Sequence, residues 1–277
     1  NEQLTLKPLE NKVIRDFDCS EFIFCSDAGL GSAKNRFLNS FGNRSYVITH
    51  SLKKLKKEER EIALKPTQFR LPGSDKMIDL RTLDETDENV FDSVYYKELP
   101  IVTGVMDETL IVTYSPKYKN YQRKVRTRQI EHAEKMIESG KKRHSKNPND
   151  PARFIRKTSV TDDGEIAEKT IYELDPKRIR EEEMYDGFYA ITTNLEDDNV
   201  NEIIKVSERR WQIEECFRIM KTDFKARPVY LQNKERIKAH FLTCFISLII
   251  YRLLADKLEN KYTVNEILKT LREMEVI

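Results

Sequence analysis

The segment from Glu21 to His50 limits the possible folds more than any other. Glu21-Phe-Ile-Phe-Cys-Ser-Asp27 is a short apolar run that ends in an acid and leads into Ala28-Gly-Leu-Gly31, the pattern of a fully buried strand feeding a glycine turn. Ala33 to Phe41 has helical spacing, and Arg44-Ser-Tyr-Val-Ile-Thr-His50 is a second apolar strand. A strand, a helix and a strand in such close succession form a parallel pair with a right-handed crossover, so the chain is expected to be α/β. Asp27 then stands at the C-terminal end of a strand, where open α/β sheets carry their chemistry. An acid ahead of a glycine turn is more often only an Asx-type turn former or the cap of the next helix, and from these residues taken alone that structural role is the favoured one.

A second stretch, Ser207 to Lys221, places a carboxylate and two cations on one helical stripe. At ~100° per residue, Ser207, Arg210, Glu214, Phe217 and Lys221 fall within an arc of roughly 80°. Trp211, Ile213, Cys216, Ile219 and Met220 flank that stripe on more than one side, as in a largely buried helix. Two readings of the stripe stay open. Arg210 is either the i−4 ion-pair partner of Glu214, contributing a few tenths of a kcal/mol, or Glu214 is a metal ligand while Arg210 and Lys221 hold phosphates, arginine by its planar fork and lysine as a point charge.

The pattern Arg210, three residues, Glu214, six residues, Lys221 resembles the YREK signature of bacterial insertion-sequence transposases of the DDE class. Arg210-Trp-Gln-Ile-Glu-Glu and Phe217-Arg-Ile-Met-Lys are similar to the sequence around that signature, and Ser26-Asp-Ala-Gly-Leu resembles the family's segment at its second catalytic aspartate. The tyrosine that the signature carries three residues before the arginine is Ser207 here. The resemblance implies a ribonuclease-H-like core, incomplete at its N-terminus and interrupted by a mixed, strand-containing insertion. It also implies catalysis and metal binding by Asp27 and Glu214, which would converge on two Mg²⁺ (or Mn²⁺) ions. DNA contacts would come from Ser207, Arg210, Arg218 and Lys221. The implied partners are double-stranded DNA with terminal inverted repeats, target DNA and a second copy on DNA, for a cytoplasmic, nucleoid-associated bacterial protein.

Net charge neither supports nor excludes such a partner, because 49 Lys and Arg nearly balance 47 Asp and Glu; any basic surface must come from segregation of charge. Cys19, Cys25, Cys216 and Cys244, and His50, His132, His144 and His240, lack paired or zinc-like spacing, which points to reduced thiols and no zinc site. The longest apolar run, Phe241 to Leu254, is short for a membrane span and is expected to be a buried core helix.

Along the chain, Asn1 to Asp18 reads as a short lead and a helix, and Leu52 to Leu64 as a charge-dense helix with a solvated face. Residues 53–184 read as an insertion rather than more of the sheet, between core parts at 1–52 and 185–277. Within it Ser93 to Leu99 and Thr109 to Tyr114 are expected strands, Tyr121 to Ser139 a basic helix, and Arg153 to Val160 with Glu165 to Leu174 a hairpin around Asp162-Asp-Gly164. The cluster from Lys117 to Arg128, interleaved with tyrosines, is either a contact to DNA backbone or a solvated helix face. Asp186, before a glycine, is a turn residue or a third acid, with the turn favoured. Asn199 or a neighbour would cap the helix bearing Glu214, and Glu235 to Leu258 and Thr263 to Met274 are the last helices.

By the family's order the first catalytic aspartate lies upstream of Asn1, since Asp16 and Asp18 stand too close ahead of the Asp27 strand. The polypeptide as given is therefore expected not to cleave DNA alone. Alternatives are a non-enzymatic DNA-binding fragment or inactive pseudogene product, another ribonuclease-H-like nuclease, or an unrelated α/β protein.

Overall fold

The computed structural model describes residues 2–104, 106–140, 145, 147, 149–160, 169–195, 200–259 and 261–274; the side chains of 2, 3, 159, 160, 169, 170, 208–212 and 265 lie outside that description. The chain divides into two compact units, 1–207 and 208–277.

The first unit is built on a five-stranded mixed sheet in the order β1-β2-β7-β4-β3. Its parallel pair is β1 (Phe22–Ser26) and β2 (Arg44–Thr49), joined through α2 (Ala33–Leu38), as the opening segment of the sequence requires. Ahead of it α1 spans Glu2–Asp16 with Pro8 inside the helix, so the expected lead is already helical. Leu6 of α1 packs with Phe24, Tyr46 and Ile48 under one face of the pair. β1 is not buried on both faces as expected: Phe24 is 7% exposed but Ile23 is 49% exposed, because β1 closes one end of the sheet order.

The strands expected in an insertion are part of this same sheet. β7 (Phe188–Thr193) pairs antiparallel with β2 through Val47 and Thr193 and with β4 (Met106–Tyr114) through Thr109 and Thr193, and β3 (Tyr95–Thr103) pairs with β4. The expectation that residues 53–184 add no strand to the core sheet is thereby corrected. The physical reason is the alternation in Leu110-Ile-Val-Thr-Tyr114. Successive side chains of a strand leave opposite faces, and here both faces are covered. Leu110, Val112 and Tyr114 pack with Leu52, Leu55, Ala63, Phe69 and Leu80 from the segment that includes α3 (Lys57–Leu64). Ile111 packs on the other side with Val47, Ile191, Ile203 and Ile204, the last two from the start of α7 (Val200–Thr222). Each such fully buried side chain contributes about 1.5–3 kcal/mol.

The remaining elements of this unit are α4 (Glu88–Asp92), α5 (Pro116–Glu138), the hairpin β5 (Ile155–Val160) and β6 (Lys169–Leu174), and α6 (Pro176–Glu183). α5 starts earlier than its basic stretch suggests because the Ser115 side chain caps it, with Pro116 in its first turn. The hairpin pairs Ile155 with Leu174 as expected and packs beside Ala133 of α5; its turn at 162–164 and the cap at Asn199 lie outside the described residues.

The second unit contains the rest of α7, α8 (Lys234–Lys257) and α9 (Val264–Glu273). Ile219, Leu248, Tyr251, Ala255, Val264 and Ile267 form its core. By length and composition α8 could cross a membrane, and the sequence reading made it a buried core helix. Among its described residues only Cys244, Leu248, Tyr251 and Ala255 are buried, one stripe at helical spacing. Leu242, Phe245, Ile246, Ile249, Ile250 and Leu253 are 45–62% exposed.

Candidate functional site

Asp27 follows the last residue of β1 and is exposed. Its Oδ1 accepts from the Gly29 amide (2.8 Å) and the Leu30 amide (3.3 Å), which is the Asx-turn geometry that the glycine turn suggested. The two glycines have separate reasons. A Cβ on Gly29 would meet Asp27 Oδ1 at 2.9 Å, and one on Gly31 would lie 2.4 Å from Ile48 Cγ2. The turn is thus pressed onto β2, and the acid is fixed at the strand end.

Behind the turn lies a buried polar network that sequence reasoning did not single out. Arg36, on α2, donates from Nη1 to both carboxylate oxygens of Glu108 at 2.7 Å, with side-chain exposures of 8% and 0%. The Tyr46 hydroxyl also donates to Glu108, and burial with the Glu108 carboxylate beside it pushes the phenol's pKa well above its ordinary value. Burial, followed by the Arg36 charge, lowers the His50 pKa. Nothing in the spacing of Arg36, Tyr46 and Glu108 marks them as partners, since two of them come from elements whose pairing is set only by the sheet order.

A cavity of about 390 Å³ opens beside the Asp27 turn, lined among others by Ala28, Gly31, Arg36, His50, Lys54 and Thr192.

Ser207, Glu214, Arg218 and Lys221 lie on α7, with Ser207 half-buried and the others exposed. The Arg210 side chain lies outside the described residues. Arg218 approaches Glu215 (3.8 Å) and Asp223 (3.7 Å) on its own unit, and Glu215 also meets Arg252 at 3.4 Å. The helix is not buried on several sides as expected: Ile219 is fully covered while Ile213 and Phe217 are 59% and 57% exposed. Near its start the Cys25 thiol, two residues before Asp27, lies 4.0 Å from the Val206 carbonyl. Asp27 belongs to the first unit and Glu214 to the second.

Asp186 is the turn residue it was expected to be. Its two oxygens accept from Arg126 Nη1 and Nη2 at 2.6 Å each, a bidentate clamp between α5 and the start of β7. The neighbouring basic cluster is similarly engaged: Lys117 pairs with Asp92, Lys119 with Glu85, and Arg123 with Asp186. Those contacts fit a helix docked on its own unit better than a surface kept open for phosphates. Carboxylate oxygen is the donor chemistry that Mg²⁺ or Mn²⁺ takes, and Asp27 offers it at an exposed strand end. Among the described residues, however, no group of three or more His, Cys, Asp or Glu is placed to hold a metal ion.

The mixed sheet with helices, and an acid fixed at the end of a parallel strand, define an α/β domain with a candidate site at the carboxyl edge of β1. The family model for the transposase DDE domain matches residues 92–250, more than half of the 277 residues, and the chain belongs to that family. The matched span contains Ser207 to Lys221 and not Asp27. No curated protein and no solved structure matches the chain.

Proposed function

We propose that this transposase domain acts at the ends of an insertion sequence, cutting DNA and joining the freed strand to a target, as in the group with the YREK signature. The observation that carries this reading is that the family match spans the Arg210, Glu214 and Lys221 pattern. The parallel pair β1 and β2 with its helical crossover supports a ribonuclease-H-like core. In this reading Asp27 and Glu214 would hold divalent metal, Mg²⁺ or Mn²⁺, which when bound supplies charge stabilisation at the phosphorus under attack. Arg210 and Lys221 would hold DNA phosphates, with Ser207 and Arg218 beside them, and terminal inverted repeats, target DNA and a second copy of the chain would be the partners. The Gly29 and Leu30 amides orient the Asp27 carboxylate before any ligand arrives.

A non-enzymatic DNA-binding product is the second reading, favoured by the lack of a three-acid cluster among the described residues. The two separate in a nicking assay with Mn²⁺ on duplexes carrying the element's ends. Catalysis by these acids requires that Asp27→Asn and Glu214→Gln each lower cleavage by roughly a hundredfold or more, with DNA binding retained. Binding without cleavage by a chain extended upstream of Asn1 to carry the family's first aspartate selects the second reading, and cleavage by that chain indifferent to both changes removes the acids from the site.

A further inference from the structure

Among the described residues, one face of α8 in the helical unit is uncovered. Cys244, Leu248, Tyr251 and Ala255 are the buried residues of α8, the last three in the core shared with α7 and α9. At ~100° per residue, the exposed Leu242, Phe245, Ile246, Ile249, Ile250 and Leu253 fill an arc of roughly 140° on the opposite side. Leu242, Ile246, Ile249 and Leu253 follow one another by steps of four, three and four residues, which is the seam of a helix pair. Phe245 and Ile250 flank the seam on its two sides. From Phe241 to Tyr251 there is no charged residue, the composition of an interface centre. Roughly 100 Å² of each of the six side chains is open to water, so together they offer on the order of 600 Å² to a partner. That is the upper limit for the largest patch on a monomer and somewhat less than the ~800 Å² per side of a standard interface.

Two features of the stripe say what covers it. The apolar pattern reads the same in both directions: turning α8 end for end about the point between Ser247 and Leu248 carries Leu242 onto Leu253, Phe245 onto Ile250 and Ile246 onto Ile249. A surface of this kind is complementary to itself across a two-fold axis, the arrangement of an isologous dimer. The flanking charges agree. Lys238 and Asp256 are both exposed and stand at opposite ends of the stripe on the same flank of the seam. An antiparallel pair brings each Lys238 level with the partner's Asp256, whereas a parallel pair would set Lys238 against its own copy. We propose that this face of α8 is covered by the same face of a second copy of this chain, antiparallel, about an axis between Ser247 and Leu248. The contact needs no DNA, so it goes beyond the reading in which a second copy joins at the element's ends, and failure of either leaves the other standing. An interface of this size is weak, with a Kd on the order of 0.1 mM, so in dilute solution the chain is single and its stripe open.

The test is sedimentation equilibrium of the full chain without DNA. Between ~5 µM and ~500 µM the average mass should climb from 32.8 kDa towards twice that value. Ile246→Lys and Ile249→Glu, each at an exposed position, enter the interface twice and should each raise the Kd at least about tenfold. An equimolar mixture of the two variants should recover the dimer to within about threefold of the parent, because the antiparallel register sets the introduced amine against the introduced carboxylate and a parallel one does not. In dilute solution both variants should melt with the parent. A chain that stays single at the highest concentration, a mass that grows past the dimer, a dimer indifferent to both substitutions, or a mixture no tighter than its components overturns the proposal. So does a lower melting temperature of both variants in dilute solution, which would place the stripe inside one chain.

Discussion

The two units of this chain solve the burial problem differently. The sheet unit places charge in its interior: Arg36 with Glu108, Arg126 with Asp186, and Arg153 with Glu182 at 3.0 Å are cross-links between elements distant in sequence. The helical unit has an apolar core around Ile219 and Leu248 and leaves a broad apolar stripe of α8 exposed. In the first, geometry is specified by pairs that cannot slip without stranding a charge. In the second, the pairs of Arg218 with Glu215 and Asp223 and of Arg252 with Glu215 are partly exposed, and the packing of the apolar core carries more of the specification. The site that needs a fixed direction, the Asp27 turn, belongs to the first.

The comparison can be broken most sharply at Glu108. Removing one member of a buried pair leaves the other uncompensated, so Glu108→Ala should lose about 3–5 kcal/mol in a urea titration. The double variant Arg36→Met with Glu108→Leu should lose much less, because no charge is left stranded. A loss under about 1 kcal/mol for Glu108→Ala would mean that water reaches the pair.

In the helical unit the contrast lies between two faces. Ile219→Ala, at a fully buried position, should cost about 2–5 kcal/mol through lost burial and a residual cavity. Leu253→Gln, at a position 62% exposed, should stay within about 0.5 kcal/mol. Calorimetry on both variants tests this. A large loss at Leu253 would show that the α8 stripe is covered in solution.

A further contrast concerns a cation buried without a carboxylate. Lys97 is 4% exposed and donates to the carbonyls of Ile62 (2.6 Å) and Lys65 (2.7 Å) at the end of α3. Burial lowers its pKa to about 8 from the ordinary 10.5. Between those values the unfolded chain binds more protons than the folded one, so this group makes stability rise as pH climbs from 8 to 10.5. The slope is at most about 1.4 kcal/mol per pH unit. Lys97→Met should flatten the rise relative to the parent chain, and an unchanged pH profile would place the amine in water.

Local chemistry was legible in the sequence where a few neighbouring residues decide it. The parallel pair, the Asx turn at Asp27, the hairpin from Ile155 to Leu174 and the turn at Asp186 all follow from patterns within a few residues. Partner choice across the sheet was not legible. The strands at Tyr95 and Met106 have the same alternation whether they form a separate hairpin or join β7, and only the long-range pairing of Thr109 with Thr193 decides it. Arg36 was hidden for the same reason, since its partner comes from β4. The α8 run misled because apolar composition gives the amount of greasy surface and not the number of sides that are covered.

The position of β7 between β2 and β4 has a consequence for the order in which this chain acquires structure. Thr193 Oγ1 donates to the Tyr46 carbonyl across 147 residues, and the Tyr46 amide in turn donates to Asn194 Oδ1. During synthesis β1 and β2 therefore emerge long before the strand that closes their free side. Until then the backbone groups of β2 that β7 will pair stay open to other strands, and loop closure over such a distance is slow. A nascent chain stopped before β7 is the species most exposed to aggregation, and holding it apart is a task for chaperones.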